Sequence, residues 1–175
     1  MTDWVHSVPS DEQLLAALGR VSIQHAYLDL VLKRTVTTLA EITLEEADRA
    51  LAYAGSRELR DLIRKLANRR LRTEAAAVLK LKALLFECER VTETRNRYTH
   101  SVWAQDWGLI DEPVLIGPHG HIPTPSAAEV SRLAEEIFAI AKKINAARLH
   151  PGGFLFDALQ ALKGPEAIAE AKRTD

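Results

Sequence analysis

Leu14, Leu18, Val21, His25, Leu28, Leu32, Thr35 and Leu39 recur at alternating spacings of four and three, which is one face of a long helix. Ser10 is placed to cap that helix. Asp11 and Glu12 fall in its first turn, where the helix dipole favours acids. Gly19 weakens the helix locally and permits close helix approach. The stripe is long enough to serve as a two-helix or four-helix packing seam. A short helix is predicted from about Thr43 until Gly55 ends it. Ser56 then caps a third, with Leu59, Leu62, Ile63 and Leu66 facing inward and Arg57, Arg60, Arg64, Lys65, Arg69 and Arg70 on the outer face. A fourth starts near Thr73, turns Ala76, Val78, Leu81, Leu84, Leu85, Cys88, Val91 and Thr92 inward, and ends at or just after His100.

The pattern then changes. Residues 102–123 are rich in Gly, Pro and β-formers, with Trp103 and Trp107 in alternating register and turns at Gly108–Pro113 and Gly117–Gly120. Ser126 to Glu129 reads as a capping box that opens a last long helix, with Val130, Leu133, Ile137, Ile140 and Ile144 on one face. His150–Gly153 breaks that helix. In the tail, about 150–175, a short amphipathic helix begins at Phe154 and the last residues fray. The expected fold is all-α: a single domain over 1–175, an up-down antiparallel helical bundle with a small β-hairpin or meander before the last long helix.

At 175 residues and 47% hydrophobic, the chain can bury one core. The single cysteine, Cys88, excludes an internal disulfide and fits a reducing compartment. The first residues are acidic and polar, unlike a signal peptide, and no apolar run approaches membrane-spanning length. A cytoplasmic location is therefore expected. The net charge of −1 points to no class of partner. Its distribution does: between Arg57 and His100 twelve Lys/Arg face six Asp/Glu, a local +6, and the remainder carries −7. Such a split directs attention to an anionic ligand near the basic segment.

The fourth helix ends in Arg95-Asn96-Arg97-Tyr98-Thr99-His100. On a helix Asn96 and His100 are i and i+4 and share a face, whereas Arg95 and His100 lie about 140° apart around the axis. Arginine offers planar, permanently charged donors suited to phosphate and to the added charge of a phosphoryl transition state. Histidine titrates near neutrality and can move a proton to or from an oxygen. Asparagine can orient the ring or donate to phosphate. On RNA the neighbouring 2′-hydroxyl is a built-in nucleophile, so this chemistry needs no metal and no cofactor. The plainer reading of His100 is a helix-end histidine favoured by the dipole, and that of Arg95 a surface ion pair with Glu89 or Glu93.

The hexapeptide, in a helical chain of this size, resembles the Arg-x-x-x-x-His signature of HEPN domains. With Asn96 after the arginine and Trp103 just beyond the histidine, it resembles the "RN-x-x-x-H-x-x-W" version found in small bacterial members. Ser101 and Val102 stand where other branches carry glycine and tyrosine. The resemblance implies an up-down bundle, often dimeric, and in many members metal-independent ribonuclease activity in toxin–antitoxin or phage-defence systems. It implies RNA, an antitoxin or regulatory protein, and a second copy as partners. Arg95, Asn96 and His100 would be catalytic, and Arg57, Arg60, Arg64 and Arg97 would bind phosphate. Other members have lost catalysis and bind RNA, nucleotide or a protein partner. A third possibility is a structural assembly role for the hexapeptide. His25, on the apolar stripe, reads first as a buried, hydrogen-bonded core residue and second as a neighbour of the motif. His119 and His121 lack the further ligands a metal site needs and read as a turn. Trp103 and Trp107 read as packing residues, with base stacking the alternative.

Overall fold

Apolar positions at helical spacing bury one face of each long helix in the computed structural model, which describes residues 4–106, 114–117 and 120–171. Among these residues the chain is mostly helical, with a small antiparallel sheet. The elements are β1 (Trp4–His6), α1 (Glu12–Ala40), α2 (Leu44–Ala50), α3 (Ser56–Arg70), α4 (Ala75–His100), β2 (Val102–Asp106), β3 (Val114–Gly117), β4 (Gly120–Ile122), α5 (Ala127–Leu149) and α6 (Phe154–Ala171). They divide into two compact units, residues 1–26 with 90–138 and residues 27–89 with 139–175. The turn expected at Gly108–Pro113, together with Trp107 and His119, lies outside the described residues.

In the first unit the sheet follows chain order, β1-β2-β3-β4, all antiparallel. The meander after α4 was expected; β1 was not. It pairs with β2 so that Trp4 faces Asp106 and His6 faces Ala104, and the Ser7 N–H adds a bond to the Trp103 carbonyl at 3.1 Å. Three residues carry too little periodicity to announce a strand, so only the pairing defines it. Among the described side chains of the sheet, Ala104 and Leu115 are buried. The capping box at the start of α5 forms as predicted. The Ser126 hydroxyl accepts from the Glu129 N–H, and the Glu129 carboxylate accepts from both the N–H and the hydroxyl of Ser126. The backbone N–H and then the hydroxyl hold that carboxyl below its ordinary pKa. The α1 stripe also lands as expected, but its cap is Asp11 rather than Ser10. The Asp11 carboxylate accepts from the Gln13 and Leu14 N–H groups at 2.8 and 3.2 Å, because the residue just before the first helical one reaches those donors.

In the second unit Leu28, Leu32, Leu39, Leu59, Ile63 and Leu81 are fully buried. A capping box, Thr43 with Glu46, opens α2. Ser56, expected as the cap of α3, is its first helical residue instead. Gly55 occupies the cap position, and the Ser56 hydroxyl donates to Asp29. Arg60, expected on the outer face of α3, is only 4% exposed. The break between α5 and α6 depends on glycine. Gly152 has φ 85°, and a Cβ on Gly153 would stand 2.5 and 2.7 Å from the carbonyl oxygens of Ala146 and Ala147. Beyond it α6 continues to Ala171 rather than fraying after its first turns. No helix among the described residues is long and apolar enough to cross a membrane.

Cys88 sits in this unit's core, and burial pushes its thiol up to about 12. At pH 8 its thiolate fraction is then about a thousandfold below that of an ordinary cysteine. The folded protein should therefore resist thiol labelling that goes to completion in denaturant. Labelling of folded protein at the rate of an exposed cysteine would contradict this packing.

Candidate functional site

The last turns of α4 exchange an apolar face for a polar one. Val91 and Thr92 are the last buried residues of the helix, and Arg95 is half-buried while Asn96, Arg97 and His100 are exposed. The helix end is closed from the strand that follows it. The Trp103 indole N–H donates to the Tyr98 carbonyl at 3.3 Å, occupying one of the last-turn acceptors that no helical N–H can reach. The Thr99 hydroxyl donates to the Arg95 carbonyl at 3.0 Å. Trp103 therefore fixes the helix terminus through its ring nitrogen.

Arg95 resolves the angular separation by reach. One guanidinium nitrogen, Nη1, lies 2.9 Å from Asn96 Oδ1 and 2.8 Å from His100 Nε2. The three predicted residues thus meet within one chain, at an exposed helix end. An arginine only donates, so Nε2 is the acceptor, and the proton of the neutral ring belongs on Nδ1. Asn96 accepts through its oxygen, which turns its NH2 outward as a donor. Among the described residues no carboxylate lies within ion-pair distance of Arg95, so neither Glu89 nor Glu93 neutralises it. Its Nε is buried without an acceptor. What results is a cation held by two neutral side chains, with surface access on the His100 side. Such an arrangement can receive an oxyanion and can accept a proton at the imidazole once Arg95 turns to that anion.

The other sequence candidates fall elsewhere. Arg97 is exposed on the same turn as Asn96. Arg57, Arg60 and Arg64 belong to the other unit. Arg57 is exposed, Arg60 is buried with an Nη 4.0 Å from Glu89, and Arg64 binds Asp61 at 2.8 Å and Glu89 at 3.0 Å. His25 is a core residue, with Nε2 lying 3.2 Å from the buried Thr92 hydroxyl one turn ahead of the motif. Sequence reasoning placed both on apolar faces without pairing them; two polar residues on facing apolar stripes were the available signal. His121 is exposed on β4. Among the described residues no group of three His, Cys, Asp or Glu side chains is placed to hold a metal ion.

Nitrogen chemical shifts of the His100 ring provide a direct check on this geometry. The Nδ1–H tautomer should dominate the neutral ring in the wild-type protein and lose that dominance in Arg95→Ala. A neutral ring carrying its proton on Nε2 in the wild type would contradict the Arg95 contact. No family model, no curated protein and no solved structure matches this chain, so the resemblance to HEPN domains rests on its own residues.

Proposed function

We propose that the protein is a HEPN-like ribonuclease that cleaves RNA without a metal, by attack of the 2′-hydroxyl on the adjacent phosphate. The observation that carries this reading is the 2.8 Å contact between Arg95 Nη1 and His100 Nε2, with Asn96 on the same guanidinium nitrogen. A phosphate arriving at Arg95 competes for its N–H groups and frees the Nε2 lone pair. His100 then takes the 2′-hydroxyl proton as the O–P bond forms, and returns a proton to the 5′-oxygen as that bond breaks. The products are a 2′,3′-cyclic phosphate and a 5′-hydroxyl. Arg95 offsets the charge gathering on phosphorus, and the outward NH2 of Asn96 is a second donor to it. An up-down arrangement of the helices, a cytoplasmic setting and a toxin–antitoxin or phage-defence role belong to the same reading.

A second reading is a helical module that binds RNA, nucleotide or a protein partner without cleaving. The occupied lone pair of His100 favours it. One assay separates the two: RNA cleavage in the presence of chelator. The wild type should cleave, His100→Ala should lose about 10²-fold or more, and Arg95→Ala should fall with it. Cleavage by His100→Ala at the wild-type rate would remove the catalytic assignment. Salt-sensitive RNA binding by a wild type that does not cleave would establish the second reading.

The dimer expected from the long α1 stripe needs a different surface, because Leu14, Val21, Leu28, Leu32 and Leu39 are buried within the chain. A second apolar line stays exposed on the opposite side of that helix: Leu15 at 39%, Ile23 at 69% and Leu30 at 46%, with exposed Gly19 and Ala26 between them. A Cβ added at Gly19 meets nothing within 4 Å, so the chain's own packing does not require a residue that weakens a helix there. Antiparallel pairing with a second copy, centred between Ser22 and Ile23, sets Leu15 against Leu30, Gly19 against Ala26, and Glu12 against Lys33. The face is therefore self-complementary in size and in charge. Light scattering should give a dimer for the wild type and a monomer for Ile23→Glu. Glu12→Lys should weaken the dimer, and Lys33→Glu added to it should restore it. A dimer unchanged by Ile23→Glu would exclude this face.

A further inference from the structure

Arg148, near the end of α5, is half-buried and has only neutral acceptors among the described residues. Its Nη2 donates to Asn145 Oδ1 at 2.8 Å, its Nη1 reaches the Thr38 hydroxyl at 3.4 Å, and its Nε is buried without a partner. Asn145 is itself held, donating to the Tyr27 hydroxyl at 2.9 Å, so the guanidinium rests on a fixed support. Burial, and then the charge of Arg34 close by, lower the pKa of Arg148, which means that both oppose its charged form. Among the described residues no carboxylate lies within ion-pair distance of Arg148 or Arg34. A desolvated guanidinium beside a like charge is costly unless an anion compensates it.

Arg148 also lines a cavity of about 300 Å³ within the second unit. Arg70, Lys163 and Gln160 share that lining, with Leu149 and Phe156 as apolar walls. Among the described residues the one acid in the lining, Glu41, is already engaged by Arg70, which also donates to the Leu39 carbonyl at 3.0 Å. Lys163 acts on Glu41 only through space. Counting Arg70 and Glu41 as a neutral pair, the described lining retains two positive charges, Arg148 and Lys163, and Arg34 adds its charge to the field at Arg148.

We propose that this cavity binds a phosphate group, with Arg148 and Lys163 as its charged donors and the Gln160 amide as a neutral one. A dianion matches two cations that line one cavity, and the tetrahedral oxygens of phosphate can each take a donor from a different side chain. A carboxylate would neutralise only one of the two. The site is separate from the hexapeptide of α4 and does not depend on the ribonuclease reading. The phosphate can be the free ion or the end of a small ester whose organic part lies against Leu149 and Phe156.

Calorimetric titration of the full chain separates these cases. Inorganic phosphate should bind saturably where sodium chloride at equal ionic strength does not. Arg148→Gln should weaken binding roughly tenfold or more, the loss expected for one charge-assisted contact. Lys163→Gln, at an exposed position, should weaken it as well and reads the same site if Arg148→Gln fails to fold. Lys82→Gln, an exposed lysine that lines neither site, should bind phosphate as the wild type does, which separates this cavity from general positive charge. A nucleoside monophosphate binding tenfold tighter than phosphate identifies an ester ligand; equal affinity identifies the free ion. Wild-type protein that responds to phosphate no more than to chloride overturns the proposal. So do folded Arg148→Gln and Lys163→Gln variants that bind phosphate as the wild type does.

Discussion

The apolar stripe of α1 is the constraint on which the other elements depend. It runs from Leu14 to Leu39, and every member is buried except Leu18, which is half-buried. A 29-residue helix exposes too much apolar surface to be stable alone, so α1 persists because each unit buries its share of that surface. His25 and Thr35 interrupt the stripe without breaking it, because each finds an acceptor or donor within the core. His25 meets Thr92, and the Thr35 hydroxyl donates back to the Val31 carbonyl at 2.8 Å.

A helix end imposes a different constraint on the hexapeptide. Residues five apart do not share a face, and about 7.5 Å of axial rise separates their Cα atoms. Only a long side chain folded back along the terminus can join them, and arginine has that length. A lysine at the same position could serve Asn96 and His100 from its one nitrogen, but it would lack the further planar N–H donors that arginine keeps for an anion. The terminus also has to stay in place for this contact to persist, which gives Trp103 a role in the site. Its indole N–H ties the strand after the helix to the helix's own last turn.

Charge along the chain and charge in space differ for a physical reason. The +6 segment from Arg57 to His100 is partly neutralised by acids outside it: Arg90 binds Glu136 at 2.9 Å, and Arg70 pairs with Glu41. Arg60 goes further, leaving solvent altogether. Among the described residues, Arg95 and Arg148 each have a buried Nε without an acceptor and no carboxylate within ion-pair distance. Arg95 ends a helix on which a functional role was already in view. Arg148 lies outside the basic segment, on a helix whose sequence reads as ordinary amphipathic packing. Its isolation depends on which side chains reach it, and no local count of charges records that.

Much of the secondary structure was legible because its determinants are local. Four-and-three periodicity, the Ser126–Glu129 capping box, the glycine break at 152–153 and the end of α4 at His100 each need only a few neighbouring residues. The shared face of Asn96 and His100 was legible for the same reason. The strand at Trp4–His6 was not, since a short strand exists only through the bonds its partner supplies. Nor was the cap by Asp11 in place of Ser10, where neighbouring polar residues compete and backbone direction decides. The sequence by itself determined which faces are apolar, where the helices start and stop, and that arginine, asparagine and histidine meet a helix end. The tertiary structure decided that Arg95 reaches His100, that Arg60 is buried, that the first α1 stripe is consumed within the chain, and that Arg148 has no counter-ion among the described residues. Those outcomes depend on side-chain reach and on contacts between distant segments, which the periodicity of a single helix does not encode.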